Sequence, residues 1–519
     1  MARVQGPIEQ LIRHRVAQHP REVWLKFKDQ QFTWEQVLDN IHRAANGLLE
    51  LGVRPGERVA LMMGNRPEFL WLHFAIGFIG AIGVPINTSQ RGATLHHILA
   101  DSDSAAVIFD QPLRDAVMSV KATVPSLRRA VVADGKPGAG VDWSLERLLD
   151  HSAREPEVEV GDLAGGGGLM YTSGTTGPPK GVVSSGSDGY SLAAVLSATA
   201  VKPGETMYTA LPLFHGNALM ISGFGSMTLD AKFALGERFS ASRFWDECRM
   251  HDAVEFNTLG GMLSILLKQP PRPDDREHHV RVVLSAACPP TAWKEFERRF
   301  GVRIVEFYGM VDSPGLLLND VGRVGSMGKP VGGVEFRVVD EHDQPLPEGK
   351  VGELVFRHPK GQLSQYHKLA DATAEAYRGG WFHSGDLAMT DREGFFYFSG
   401  RKKASIRRRG ENISAWEIET VVNDFPAVLE SAAYAVPSEL GEDEVKVAVV
   451  LKDGAHFTPE ALIEFCRGRM AYYAIPRYLE VLDELPKTGT QRIQYAALKQ
   501  LGIGNAWDRE KAGINVARA

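Results

Sequence analysis

Residues 171–182 read Tyr-Thr-Ser-Gly-Thr-Thr-Gly-Pro-Pro-Lys-Gly-Val, a stretch built to hold an anion. Gly174, Gly177 and Gly181 let the backbone turn tightly and bring its N–H groups close to a ligand. Ser173, Thr175 and Thr176 add hydroxyl donors, and Lys180 adds a point charge. Such a loop suits a polyanion such as a nucleotide phosphate. It is not the P-loop, in which lysine sits between glycine and a hydroxyl residue, because Lys180 follows Pro179 and precedes Gly181. Two prolines and an embedded lysine also set it apart from a Gly/Ser linker, which the run from Gly165 to Gly168 does look like.

Further chemistry-bearing segments follow in order: Leu211-Pro-Leu-Phe-His-Gly-Asn217, Ser285-Ala-Ala-Cys-Pro-Pro290 and Glu306-Phe-Tyr-Gly-Met-Val-Asp-Ser-Pro314. Beyond them lie Trp381-Phe-His-Ser-Gly-Asp-Leu387, Gly400-Arg401, Arg407-Arg-Arg-Gly-Glu-Asn-Ile-Ser414 and Leu485-Pro-Lys-Thr-Gly-Thr-Gln-Arg-Ile493. In spelling and order these segments resemble the AMP-forming adenylate-forming superfamily of acyl-CoA synthetases, adenylation domains and luciferases. The nearest likeness is to the carnitine, medium-chain and aromatic-acid CoA ligases. The resemblance implies an enzyme that uses ATP and Mg2+ to turn a small carboxylic acid into an acyl-adenylate, then passes the acyl group to the thiol of coenzyme A.

Pushing one anion onto another demands positive charge and oriented donors. By the resemblance, Ser173, Gly174, Thr175, Thr176, Gly177 and Lys180 take the phosphates, and His215 lies beside the acyl group and nucleotide. Ala287 and Cys288 edge the adenine, Tyr308 stacks on it, and Gly309 lets the backbone pass close. Asp386 accepts from the ribose hydroxyls, with Arg401 directed at ribose and phosphate. Lys403 is the hinge of a mobile small domain, and Gly410 belongs to the loop past which pantetheine threads, its neighbouring arginines set to meet coenzyme A phosphates. The acid pocket takes in His215, Ala218, Leu219, Gly260, Ala286, Met310 and Pro314. These offer no countercharge for a second carboxylate, which implies a mainly apolar acid.

Three positions depart from the family's spelling. Val311 stands where a threonine hydroxyl meets the α-phosphate, and Asp312 where a glutamate helps hold magnesium. Arg492 stands where a catalytic lysine contacts carboxylate and phosphate; arginine keeps the charge but is longer, planar and never deprotonated. Lys487 and Lys499 are the alternatives to Arg492. These changes leave two other readings open: an adenylate-forming enzyme with an amine, another nucleophile or an unusual acid, and a nucleotide-binding protein with a degenerate adenylation site.

The elements that must position these residues alternate between helix and strand. Thr33 and Gln36 form a capping box before the apolar spacing Val37, Ile41, Ala44, Leu48, and Gly52 stops that helix ahead of the strand-like 58–62. Helix 94–100 leads to strand 105–109, and helix 291–300 leads through Gly301 to strand 302–307. The pattern predicts an α/β fold: a large N-terminal domain of doubly wound layers, whose ligands sit at the carboxyl ends of strands. Past Gly332 hairpin signals over 334–339 and 351–357 add a small β-rich subdomain. From Arg401 a basic hairpin, a helix capped at Ser414, strands 432–436 and 446–451, and a helix begun by Thr458-Pro459 predict a smaller mobile α+β domain. The expected domains are therefore 1–400, binding ATP and acid, and 401–519.

The chain's 519 residues and net charge of −6 fit two or more domains and disfavour nucleic acid or an anionic membrane as partner. The longest apolar stretch, 69–86, carries His73 and ends near Pro85, so it reads as a buried helix and strand, not an integral membrane segment. Three distant cysteines give no disulfide framework and point to a reducing, cytoplasmic setting. The oligomeric state is not legible.

Overall fold

A computed structural model describes residues 7–158, 168–172, 179–184, 194–259, 261–313, 315–402, 405–408, 411–437, 443–467, 469–470, 474–488 and 492–516. The chain divides into two compact units. The first holds the described residues up to Glu335 together with Phe356–Phe382; the second holds Phe336–Val355 and those from His383 onward.

In the first unit a nine-stranded sheet runs, edge to edge, through Lys329–Pro330, Leu317–Asn319, Arg303–Tyr308, Val282–Ala286, Ala253–Leu259, Thr206–Thr209, Lys232–Leu235, Val23–Phe27 and Gln30–Thr33. The strands from Arg303–Tyr308 to Val23–Phe27 are parallel, and the outer ones antiparallel. A second, all-parallel sheet comprises Ile82–Pro85, Arg58–Met62, Ser104–Asp110, Arg129–Ala133 and Trp143–Ser144. Alternate residues of its central strand fit an all-parallel sheet: Ala106 and Ile108 enter one core, Val107 and Phe109 another, so both faces are covered. The larger core joins Leu61 and Ile108 of this sheet to Phe233 and Phe256 of the other through helices Trp34–Leu51 and Pro67–Phe78.

Helix Pro67–Phe78 is buried on nearly every side, which is why 69–86 is so apolar. Among the described residues no helix is long and apolar enough to cross a membrane. Helix Trp34–Leu51 carries the expected capping box, Thr33 Oγ1 accepting from Gln36 N and the Gln36 side chain accepting from Thr33 N, and ends at Gly52 with φ 101°. Beside its carboxyl half, a Cβ on Gly47 would lie 2.0 Å from the Leu148 carbonyl oxygen, so the helix packs there backbone to backbone on helix Leu145–Leu149.

The second unit holds most of a four-stranded sheet of Glu335–Val339, Gly352–Arg357, Phe382–Thr390 and Phe396–Arg401. It also holds a four-stranded sheet of Val428–Pro437, Asp443–Leu451, Tyr478–Val481 and Trp507–Asp508, flanked by helices Ala415–Asn423 and Pro459–Cys466. Thr458 caps the latter helix by accepting from Ala461 N at 3.3 Å, as its Thr-Pro start implies. The hairpin Ser405–Arg408 with Glu411–Ser414 precedes that sheet. The cap side chain of Ser414 lies outside the described residues.

Removing the Thr33 hydroxyl leaves a helix N–H without its partner. Thr33→Ala is expected to lower unfolding free energy by about 1 kcal/mol, measured by denaturant titration, with Thr33→Ser close to the parent.

Candidate functional site

Four adjacent parallel strands of the large sheet end on one edge, and each hands its chain to a segment singled out above. Strand Thr206–Thr209 leads to His215, Ala253–Leu259 to Gly260, Val282–Ala286 to Ala287, and Arg303–Tyr308 to Gly309 and Met310. Gly260 itself and Pro314 lie outside the described residues, as do Ser173, Gly174, Thr175, Thr176, Gly177, Lys403 and Gly410.

The ends of the phosphate-loop candidate are fixed. Strands Leu169–Thr172 and Lys180–Ser184 pair antiparallel with Thr172 opposite Lys180. His97 contacts the Pro179 carbonyl through Nε2 at 2.9 Å, and Tyr171 donates to Asp101 at 2.6 Å. The Lys180 ammonium lies 4.6 Å from the ring centre of Tyr366, whose hydroxyl donates to Asp312 Oδ2 at 2.8 Å. Tyr366 thus ties the candidate phosphate lysine to the candidate metal carboxylate; it sits on a three-residue strand in a stretch with no sequence signal. One carboxylate completed by phosphate oxygens and water is the usual setting for Mg2+, and Asp312 fits it.

His215 lies two residues before a π-helix, Asn217–Phe224, with its ring 4.8 Å from that of Phe214. Ala218 and Leu219 on that helix are buried in the main core. A Cβ on Gly216 would lie 3.2 Å from Val311 Cγ2 and 3.8 Å from Met170 Cε, so the histidine turn, the Tyr308 segment and the strand entering the phosphate loop converge there. The apolar Val311 packs at this point, where a hydroxyl was the expectation from the family. Tyr308 is half-buried, with its hydroxyl 3.9 Å from Met310 Sδ.

Ala287 has φ 66°, a left-handed conformation unfavourable for a residue with a Cβ. Glu306 holds it there: its carboxyl accepts from Ala287 N at 2.5 Å and Cys288 N at 3.1 Å. Burial pushes the Glu306 carboxyl up to about 8, against the lowering effect of those N–H donors. Its role as a brace for the 285–290 turn is visible only in the structure.

In the second unit Asp386 and Arg401 face each other across antiparallel strands, Arg401 Nε 3.2 Å from Asp386 Oδ1. Asp386 is buried while Arg401 is half exposed, so the guanidinium reaches outward from an anchored carboxylate. Glu353 braces the turn before Asp386, accepting from Gly385 N at 3.2 Å and lying 2.8 Å from Lys402 Nζ and 3.3 Å from His383 Nδ1. Burial alone would raise its pKa, but the His383 and Lys402 contacts hold it down to about 2. Asp343, Glu353 and His383 cluster in a way that suits a cation, yet the Lys402 ammonium already neutralises Glu353.

Arg492 lies close enough to Arg401 for their like charges to interact. Its pKa is lowered by desolvation first and by the like charge of Arg401 second, while the residue as a whole is exposed. Lys487, one alternative, is committed to Glu430 at 2.6 Å, and Lys499 ends the exposed side of helix Tyr495–Gln500. The arginine run corrects an expectation: Arg408 is buried with Nε 2.7 Å from Glu444, so it anchors its hairpin and is not available to a coenzyme phosphate.

The model of the AMP-binding enzyme family matches residues 12–367, and that of the AMP-binding enzyme C-terminal domain matches 417–492. The chain therefore belongs to the AMP-binding enzyme family. A crotonobetaine/carnitine–CoA ligase of Salmonella paratyphi B is 30% identical over 491 residues, covering 90% of this chain and 93% of the relative. Among solved structures, the o-succinylbenzoate CoA synthetase of Bacillus subtilis with its acyl-adenylate intermediate superposes with a TM-score of 0.81 at 25% identity, over 94% of this chain and 97% of that one. An anthranilate CoA ligase bound to anthranoyl-AMP gives 0.85 at 24% identity, over 96% and 98%, a likeness of fold.

Two outcomes follow from this geometry. Between the ordinary carboxyl range and about 8 the folded protein keeps a proton on Glu306 that the unfolded chain releases, so stability is full at acid pH and falls as pH rises through 8. The contribution approaches about 1.4 kcal/mol per pH unit; Glu306→Gln is expected to flatten the parent's decline in melting temperature between pH 5 and 8. Asp386→Ala, with Arg401 left in solvent, is expected to weaken AMP binding by about 1.5 to 3 kcal/mol in calorimetry while the fold persists.

Proposed function

We infer that the protein is an AMP-forming carboxylate–CoA ligase, an acid:thiol ligase. The carrying observation is the set of adjacent strand ends that bring His215, Ala287 and Tyr308 to one sheet edge, within a chain matched by the family along most of its length. In the first step a carboxylate oxygen of the acid bonds to the α-phosphorus of ATP and pyrophosphate leaves. In the second the coenzyme A thiolate bonds to the acyl carbon and AMP leaves.

Lys180 and the loop beginning at Ser173 take the β- and γ-phosphates. Tyr366 keeps Asp312 in place, and Asp312 would hold a Mg2+ that offsets phosphate charge. Ala287, Cys288, Tyr308 and Gly309 frame the adenine, Asp386 takes the ribose, and Arg401 and Arg492, two like charges close together, await the anion that forms between carboxylate and α-phosphate. His215, Ala218, Leu219, Gly260, Ala286, Met310 and Pro314 border the acid. Domains of 1–400 and 401–519, a pivot at Lys403 and pantetheine passing Gly410 belong to the same proposal, as does a cytoplasmic location, which suits three buried, unpaired cysteines.

The test is pyrophosphate release from ATP across a panel of acids, with and without coenzyme A, followed by thioester detection. Turnover with every acid but no thioester would favour another acceptor nucleophile, and nucleotide binding without any turnover would favour a degenerate site. Arg492→Ala is expected to slow acyl-adenylate formation by roughly 10² to 10³ and to spare thioester formation from presynthesised acyl-adenylate. Full adenylation in that variant would shift the role to Lys499.

A further inference from the structure

Glu255 is completely buried on strand Ala253–Leu259, and neither carboxyl oxygen has a hydrogen-bond partner among the described residues. Its cross-strand neighbours Met207 and Val282 belong to an apolar cluster with Ile221, Leu284 and Val305. Directly paired residues share a face of the sheet, so the carboxyl points into that cluster. A buried polar group with no partner is rare in folded proteins and costly to keep. Burial also pushes its pKa well above the ordinary carboxyl value, which favours the neutral form.

The surroundings of this carboxyl lead to the sheet edge where the acid is placed. Asn257, two residues on and on the same face, donates through Nδ2 to the Asn217 side chain at the start of the π-helix, two residues after His215. Ile221, one turn further along that helix, lies in the cluster with the neighbours of Glu255. Asn257 Oδ1 and Ser222 Oγ are likewise buried without a partner among the described residues. A π-helix at this point is a local distortion of the kind common at functional sites. The line Asn217, Asn257, Glu255 therefore runs back from the strand's carboxyl end between helix and sheet. Glu255 is four residues before Leu259, roughly 13 Å, the reach of an acid of about eight to ten carbons.

Resting on the ligase reading above, we propose that Glu255 is the specificity-determining floor of the acid site, selecting carboxylic acids that carry a cationic or hydrogen-bond-donating group at the end remote from the activated carboxylate. The lining residues chosen from sequence implied an apolar acid; this carboxyl pairs with Val282, four residues back along the strand from Ala286. A hydroxyl would donate to the carboxyl, and an ammonium would take it over as carboxylate with release of its proton to solvent.

The experiment compares octanoic, 8-hydroxyoctanoic and 8-aminooctanoic acids by kcat/KM for pyrophosphate release in the parent, Glu255→Leu and Glu255→Gln. The parent is expected to favour the substituted acids at least tenfold. The leucine variant should reverse that order, and the glutamine variant should keep the hydroxy acid but lose the amino acid. An unchanged order in Glu255→Leu, accompanied by a higher melting temperature, would overturn the proposal and leave a merely structural acid. If the parent turns over no acid, the ligase reading fails separately. The melting-temperature shift produced by each acid then decides: a shift with the substituted acids that is lost in Glu255→Leu supports the floor, and no shift overturns it.

Discussion

The site depends on a parallel sheet that must be covered on both faces. Parallel strands cannot be joined by tight hairpins, so every strand of this kind sends its chain out at the carboxyl edge and returns it through a helix. In the large sheet this places the ends of Thr206–Thr209, Ala253–Leu259, Val282–Ala286 and Arg303–Tyr308 side by side. Residues from His215 to Met310, far apart along the chain, become neighbours for a topological reason. The apolar faces beneath them give the edge its rigidity, with Trp24 and Trp34 stacked at 4.9 Å within the same core.

On that frame, most charged groups of interest are held by another residue and not by the ligand they would meet. Tyr366 stands between Lys180 and Asp312. Glu306 holds the strained Ala287 turn, and Glu353 holds the turn that carries Asp386. Such bracing fixes donors and carboxylates before substrate arrives, which is the condition for electrostatic stabilisation without reorganisation. Arg401 and Arg492 differ from these: their like charges act on each other, which lowers the Arg492 pKa after the larger effect of burial.

Within the small-domain fold, Arg408 and Glu444 perform a structural task with charged groups. A buried pair at 2.7 Å is expensive to desolvate but more expensive to break, so it fixes the hairpin in one arrangement. Lys446, also fully buried, is similarly tied to Glu480 at 2.6 Å and to the carbonyls of Gly502 and Ile503. The three consecutive arginines of residues 407–409 gave no hint that the middle one turns inward, because a charge run carries no periodicity that marks a face.

Local rules made much of the architecture legible. The capping box at Thr33, the Gly52 and Gly301 stops, the Thr458-Pro459 start and the alternation of apolar strands with amphipathic helices are short-range signals, and each marks an element boundary in the structure. Spelling singled out Asp386 and Arg401 each as a nucleotide contact, and the register of two antiparallel strands sets them opposite each other. Tyr366, Glu306, Glu353 and Glu255 were not legible, since each acquires its meaning from a partner, or from the lack of one, at a distance in sequence. The sequence by itself determined the class of fold and the segments that bear the chemistry, because propensity, capping and glycine placement act over a few residues. Only the tertiary structure decided which carboxyl braces a turn, which arginine is buried and which acid is left without a partner among the described residues, because burial and pairing are properties of packed neighbours and not of spacing.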